Sequence, residues 1–189
     1  MGQVLSRPLA GEVAGALDAV ARTIAVPPDR AALAVLHATG WPVRDAESLR
    51  GAALIEEAWL SGERPERLAA DHARLFHDGP GRRAVAPTAV PGSAAPALSR
   101  LRAEMAAAGL LPTAEPAPGL VTALGMLSAV LTAPPHLSAP AAQWRRTLGK
   151  EHLPWCAGAL TRVQLGAQTF CYQGVGVLGL GLLRRVATA

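Results

Sequence analysis

Residues 12–28 read EVAGALDAVARTIAVPP. Val13, Leu17, Val20 and Ile24 fall at i, i+4, i+7 and i+11, a stripe down one side of an α-helix. Pro27–Pro28 stops that helix, because proline has no N–H to donate and its ring crowds the turn before it. The same reading extends outward. Asp29 is placed to cap a second helix through Ala38, which Gly40 and Pro42 end. A third helix runs from about Asp45 to Leu60 and carries Trp59. A fourth starts near Pro65 and sets Leu68, His72, Leu75 and Phe76 on one side.

Residues 77–97, HDGPGRRAVAPTAVPGSAAPA, show no helical period and read as a long central loop rich in Gly and Pro. A loop of that length is usually either functional or disordered. Helical spacing returns with Leu98, Leu101, Met105 and Ala108, closed by Gly109. A Pro-rich joint at Leu111–Pro118 leads to an apolar helix bearing Leu120, Leu124, Leu127 and Leu131. Pro134, Pro135 and Pro140 precede a helix near Ala141–Leu148, and a last helix fills Trp155 to about Val186. The expectation is a single-domain, all-α bundle of about eight helices spanning residues 1–189.

Composition agrees with this. Ala and Leu dominate and only seven of 189 residues are aromatic, a balance that favours helices over strands. Folding a chain of this size buries roughly 70% of its surface, enough for one sizeable core. Cys156 and Cys171 are too few for a disulfide-stapled fold and read as reduced core residues. Leu165–Leu183 has no charge, but Gln168, Gln173 and four glycines interrupt it, so a buried core helix is expected rather than a membrane span. The N-terminal stretch has Glu12 and Asp18 where a signal peptide needs apolar residues. A cytoplasmic protein without stable membrane insertion is expected.

Charge is unevenly spread. Residues 1–78 carry a net −3 and residues 79–189 a net +7. The basic residues come as scattered pairs, Arg82–Arg83, Arg145–Arg146 and Arg184–Arg185, without interleaved aromatics, so nucleic acid is not the expected partner.

Gly174-Val-Gly176-Val-Leu-Gly179 spells a dinucleotide fingerprint, yet that motif needs a preceding strand and an acid about 20 residues later. No acid follows here, and close helix packing is the better account of these glycines. Asp71, His72, His77 and Asp78 suggest a metal cluster. A five-residue step, however, turns the two histidines apart unless the helix ends between them. No nucleophile elbow, zinc-protease motif or P-loop is present. The chain is expected to be neither an enzyme nor a holder of a metal or cofactor.

Two segments carry a resemblance. Leu68-Ala-Ala-Asp-His-Ala-Arg74-Leu75-Phe76, followed by the Gly/Pro loop, resembles the L-x-x-E-Y-x-R-L-F segment of the TorD/DmsD/NarJ family, cytoplasmic chaperones of DMSO-reductase-type molybdenum enzymes. Glu151-His152-Leu153-Pro154-Trp155 is similar to that family's H-L-x-x-W segment, one residue shorter, and an apolar final helix follows in both. The likeness covers about residues 45–185. Pro87-Thr88-Ala89-Val90 stands where the family commonly has P-Y-E-S, and Pro116-Ala117-Pro118-Gly119 where it often has an Asp-His pair linked to leader recognition. The chain therefore resembles a divergent member.

The resemblance implies a chaperone that binds the apo-form of a molybdopterin oxidoreductase catalytic subunit, through its body or its twin-arginine leader. It would hold that subunit open for cofactor insertion before export. Trp59, Arg74, Leu75, Phe76, His152 and Trp155 are the expected client-binding residues, with Trp59, Phe76 and Trp155 lining an apolar groove and the central loop as its edge. The rival expectation is a helical regulator or nucleic-acid-binding protein using the basic C-terminal half.

Overall fold

The computed structural model describes residues 6–42, 44–77, 94–113 and 119–188, and these form α1 (Arg7–Ala25), α2 (Arg30–Ala38), α3 (Ala46–Leu60), α4 (Pro65–Phe76), α5 (Ala94–Ala107), α6 (Leu120–Leu131), α7 (Ser138–Thr147), α8 (Leu153–Gly166) and α9 (Phe170–Ala187). Side-chain caps start α2, α3 and α9, prolines open α1, α4 and α8, and left-handed glycines follow α3 and α5. No strand occurs among the described residues. The protein is all-α.

Asp29 accepts a hydrogen bond from the Ala32 N–H at 2.7 Å, and Asp45 one from the Ser48 N–H at 3.0 Å, each relieving an orphan donor of a first turn. Gly62 and Gly109, at φ +65° and +75°, follow the ends of α3 and α5 in the left-handed region that favours glycine.

Three expectations are corrected. The last helix is two helices: Ala167 and Thr169 are extended, and α9 begins anew with Thr169 as its N-cap. The helix expected near Ala141–Leu148 is longer, running through a π turn at Leu148–His152 directly into α8. Pro154 accounts for the irregularity, since it cannot bond the Lys150 carbonyl and its ring would crowd it in a regular α-turn. Residues 94–97, read as loop, are the first turn of α5. Residues 78–93 of the central loop, with Arg82–Arg83 and Pro87–Val90, lie outside the described residues, as do Asp78 and Pro116–Pro118.

One hydrophobic cluster takes side chains from each of the helices α1 to α9 found among the described residues. α9 packs along α3 and α8, while α1 packs along α6. The α9 glycines permit this approach. A Cβ on Gly174 would lie 2.9 Å from the Gly51 carbonyl oxygen of α3, one on Gly176 2.7 Å from the Gln164 nitrogen of α8, and one on Gly179 2.9 Å from Leu160. Real Cβ atoms do not come so close, so at Gly174 and Gly176 the helix backbones meet where only glycine fits, whereas at Gly179 the neighbour is the Leu160 side chain.

Gly125 in α6 differs, with open space around its absent Cβ. Gly125→Ala is expected to raise stability by about 0.5–1 kcal/mol through helix propensity and a less floppy unfolded chain. Chemical denaturation checks this.

No single helix among the described residues is long and apolar enough to cross a membrane. α6 with Pro135–Gly166 passes on length and composition only as a pair bent by 111°. Most of the uncharged stretch Leu165–Leu183 lies in α9, whose residues are largely buried.

Candidate functional site

Residues 68–76 lie on α4 and residues 151–155 at the π turn that enters α8, and polar side chains tie α4 to the α8–α9 turn. On α4, Asp71 is buried and its Oδ2 accepts from the Gln168 and Thr169 N–H groups, both at 2.9 Å, and from the Thr169 hydroxyl at 2.7 Å. Arg74, one turn on, bonds both the Asp71 Oδ1 and the Gly166 carbonyl. Glu63, buried ahead of α4, accepts from the Phe170 and Cys171 N–H groups at 2.8 and 3.1 Å. Two carboxylates thus satisfy the free N–H groups at the start of α9, where the helix dipole also favours negative charge. Arg74 is therefore a half-buried tie between α4 and the α8–α9 turn.

Leu75 and Phe76 are core residues, 4% and 3% exposed. The Phe76 ring meets His72 at 4.8 Å and Tyr172 at 5.9 Å between centroids. His72 is also buried, and its Nε2–H donates to the Ile24 carbonyl at 2.9 Å. α4 ends at Phe76, so His77 swings round as its C-cap and its ring lies 5.1 Å from that of His72. The helix end brings together the two histidines that an unbroken helix would hold apart. Among the described residues no three His, Cys, Asp or Glu side chains gather as metal ligands do.

His152 and Trp155 form a second unit at the π turn. The Trp155 indole N–H donates to His152 Nδ1 at 3.2 Å, with the rings edge to face. Nδ1 is therefore the bare nitrogen and Nε2 carries the proton. That buried Nε2–H has no partner among the described residues. Trp59, half-buried at the end of α3, stacks on His37 at 5.6 Å and lies under the Arg30 guanidinium at 5.0 Å. It serves as a strut between α2 and α3.

The expected groove of Trp59, Phe76 and Trp155 is not assembled. Each ring has different partners, and Phe76 is sealed in the core because Tyr172 and His72 close over it.

An open apolar concavity lies elsewhere, at the corner between α1 and α2, while Leu60 and Leu165 are exposed apolar side chains away from it. The concavity, of about 500 Å³, is lined by Ala19, Thr23, Val26, Pro28, Ala32 and Val35, with Arg22 and Asp29 also in its wall. Val26 and Val35 are 64% and 61% exposed. Sequence reasoning missed it because it read α2 only by its ends, the Asp29 cap and the Gly40 and Pro42 stop, and not by its faces. Ala31, Ala32, Val35 and Ala38 are exposed apolar residues on a nine-residue helix, and that was the available signal.

The cysteines offer no reactive thiol: burial pushes Cys156 up to about 12 and Cys171 higher still. A comparison with known protein families, with curated proteins and with solved structures finds no match to this chain.

Burial holds both His72 and His152 below the ordinary histidine value of 6.5. In that window the unfolded chain binds more protons than the folded one, so stability rises with pH. The contribution is complete above about pH 6.5 and is lost as pH falls through the depressed values. Thermal melts between pH 7.5 and 5 are expected to show a falling Tm. The fall should shrink in the His72→Gln/His152→Gln double variant, and an unchanged slope there would assign the effect to other groups.

Proposed function

We propose that the chain is a cytoplasmic, non-enzymatic assembly chaperone that binds the apo-form of a molybdopterin-containing oxidoreductase subunit at the α1–α2 corner. The resemblance of residues 68–76 and 151–155 supplies the client class. The observation that carries the binding mode is the open apolar concavity with Val26 and Val35 at its edge. Such a groove suits the apolar side of an unfinished protein segment, with affinity coming from apolar area removed from water. Release follows if the cofactor-loaded client no longer presents that segment, because only a difference in affinity between two states can drive exchange. Of the six residues expected to touch the client, Trp59 is the nearest in role, since it fixes α2, which forms one wall. Arg74, Leu75, Phe76, His152 and Trp155 would support the frame behind it.

The test is capture from the native host at moderate salt with tagged protein, read by mass spectrometry. A stoichiometric large molybdopterin-type subunit is expected with the wild type, and at least tenfold less with Val26→Asp/Val35→Asp, whose fold is checked by circular dichroism. Equal capture by the double variant would remove the groove from the reading.

The rival regulator reading has one observation in its favour. Arg145, Arg146, Lys150 and Arg162 follow one another along α7, the π turn and α8 without an acidic partner in ion-pair range among the described residues. Duplex DNA binding that weakens steeply with salt would support it. Client capture that tolerates moderate salt would count against it.

A further inference from the structure

We infer that the α1–α2 corner is self-complementary and that two copies of this chain pair through it while no client is bound. The pairing concerns the same surface as the proposed client site, so its role as a cover for an idle chaperone rests on that reading. The pairing itself does not.

Two features of the corner point to a second copy, and a third sets how tightly it binds. First, it offers both a hollow and a ridge: Ala19 and Ala32 leave space, while Val26 and Val35 project beside it, mostly exposed. A two-fold axis through the corner lets the ridge of each copy enter the hollow of the other. Second, the wall carries one charge of each sign. Arg22, in the last turn of α1, has no acidic partner in ion-pair range among the described residues. Asp29 uses Oδ1 to cap α2 through the Ala32 N–H, and its other oxygen has no partner among the described residues. The same axis brings Arg22 of each copy toward Asp29 of the other, giving two pairs. An acidic partner would meet Arg22 but be repelled by Asp29, and a basic one the reverse. A second copy satisfies both.

Third, the corner's size sets the strength. A standard stable interface buries about 800 Å² per partner. One nine-residue helix and a corner offer less, so the pair is weak and a client segment can displace it by mass action. Weakness is what the proposed role requires.

Sedimentation velocity on the purified full chain, from about 1 to 200 µM, tests the pairing without any client. A reversible monomer–dimer equilibrium is expected, with the dissociation constant rising at least tenfold in R22E and in V35D. D29R alone is also expected to weaken it. An equimolar mixture of R22E and D29R should pair again. In the mixed dimer the two reversed charges face each other at one end of the interface, and the native Arg22–Asp29 pair remains at the other. Circular dichroism shows whether D29R, which loses its cap, remains folded, and R22E with V35D decides the matter if it does not. A monomer at every concentration, or a dimer indifferent to R22E and V35D, overturns the inference. Failure to capture a client with an intact dimer would fault the chaperone reading alone.

Discussion

Asp71→Ala is expected to lower stability by about 3–5 kcal/mol, the range seen when one partner of a buried charged network is removed. The substitution strips the acceptor from the Gln168 and Thr169 N–H groups and from the Thr169 hydroxyl, and leaves Arg74 without its carboxylate. Each buried donor left unpaired costs its full desolvation penalty, about 1–3 kcal/mol before relaxation. For a chain of 189 residues the melting temperature should fall on the order of 10 °C. Asp71→Asn keeps one acceptor oxygen and should fall between wild type and alanine. Thermal and urea melts followed by circular dichroism check both. A loss under about 1 kcal/mol would mean that water replaces the carboxylate and that α9 does not depend on it.

The second large effect is at Gly176. Helix propensity alone favours alanine there by about 1 kcal/mol. Sterics reverse the sign, because the new Cβ would meet Gln164 N at 2.7 Å and Gln164 Cα at 2.8 Å. Both are atoms of the α8 main chain, which no rotamer change can move aside. Overpacking of this kind costs about 1–3 kcal/mol or more, so Gly176→Ala should be net destabilising by about 2 kcal/mol and Gly176→Val should prevent folding at 37 °C. The opposite sign at Gly125 makes the pair informative. If both alanines stabilise, α8 and α9 are not in backbone contact.

The helices themselves were legible in the sequence because their signals are local. The Val13–Ile24 stripe, the Asp29 cap and the proline stops act within a turn or two, and the structure has helices there. The spacing of Gly174, Gly176 and Gly179 also told of close packing, although not against which neighbours. The break at Ala167–Thr169 was hidden because the stretch is uncharged and apolar enough to pass as one helix. What divides it is Glu63 and Asp71, about 100 residues earlier, and one sequence does not reveal such a pairing. Thr169 as an N-cap was the one local hint.

The functional residues were less legible for a related reason. Arg74, Leu75 and Phe76 carry the family-like pattern, but their chemistry here is turned inward, to the α8–α9 turn and the core. Exposed apolar residues, by contrast, carry no motif. Val26 and Val35 stand out only once it is known which side of α2 faces water.

The embrace of α3 by α9 sets a schedule for synthesis. Gly51 and Gly174 face each other across roughly 120 residues of chain. Ribosomes add ~5–20 residues per second, so on the order of ten seconds separate the emergence of α3 from that of its neighbour. Throughout that interval Ile55 and Ala58, dry in the finished fold, are wet and adhesive. A protein whose proposed task is to shelter another chain's unfinished surface must itself pass through a period of needing shelter. Codon choice and holdase supply over residues 60–170 should therefore govern how much of it matures.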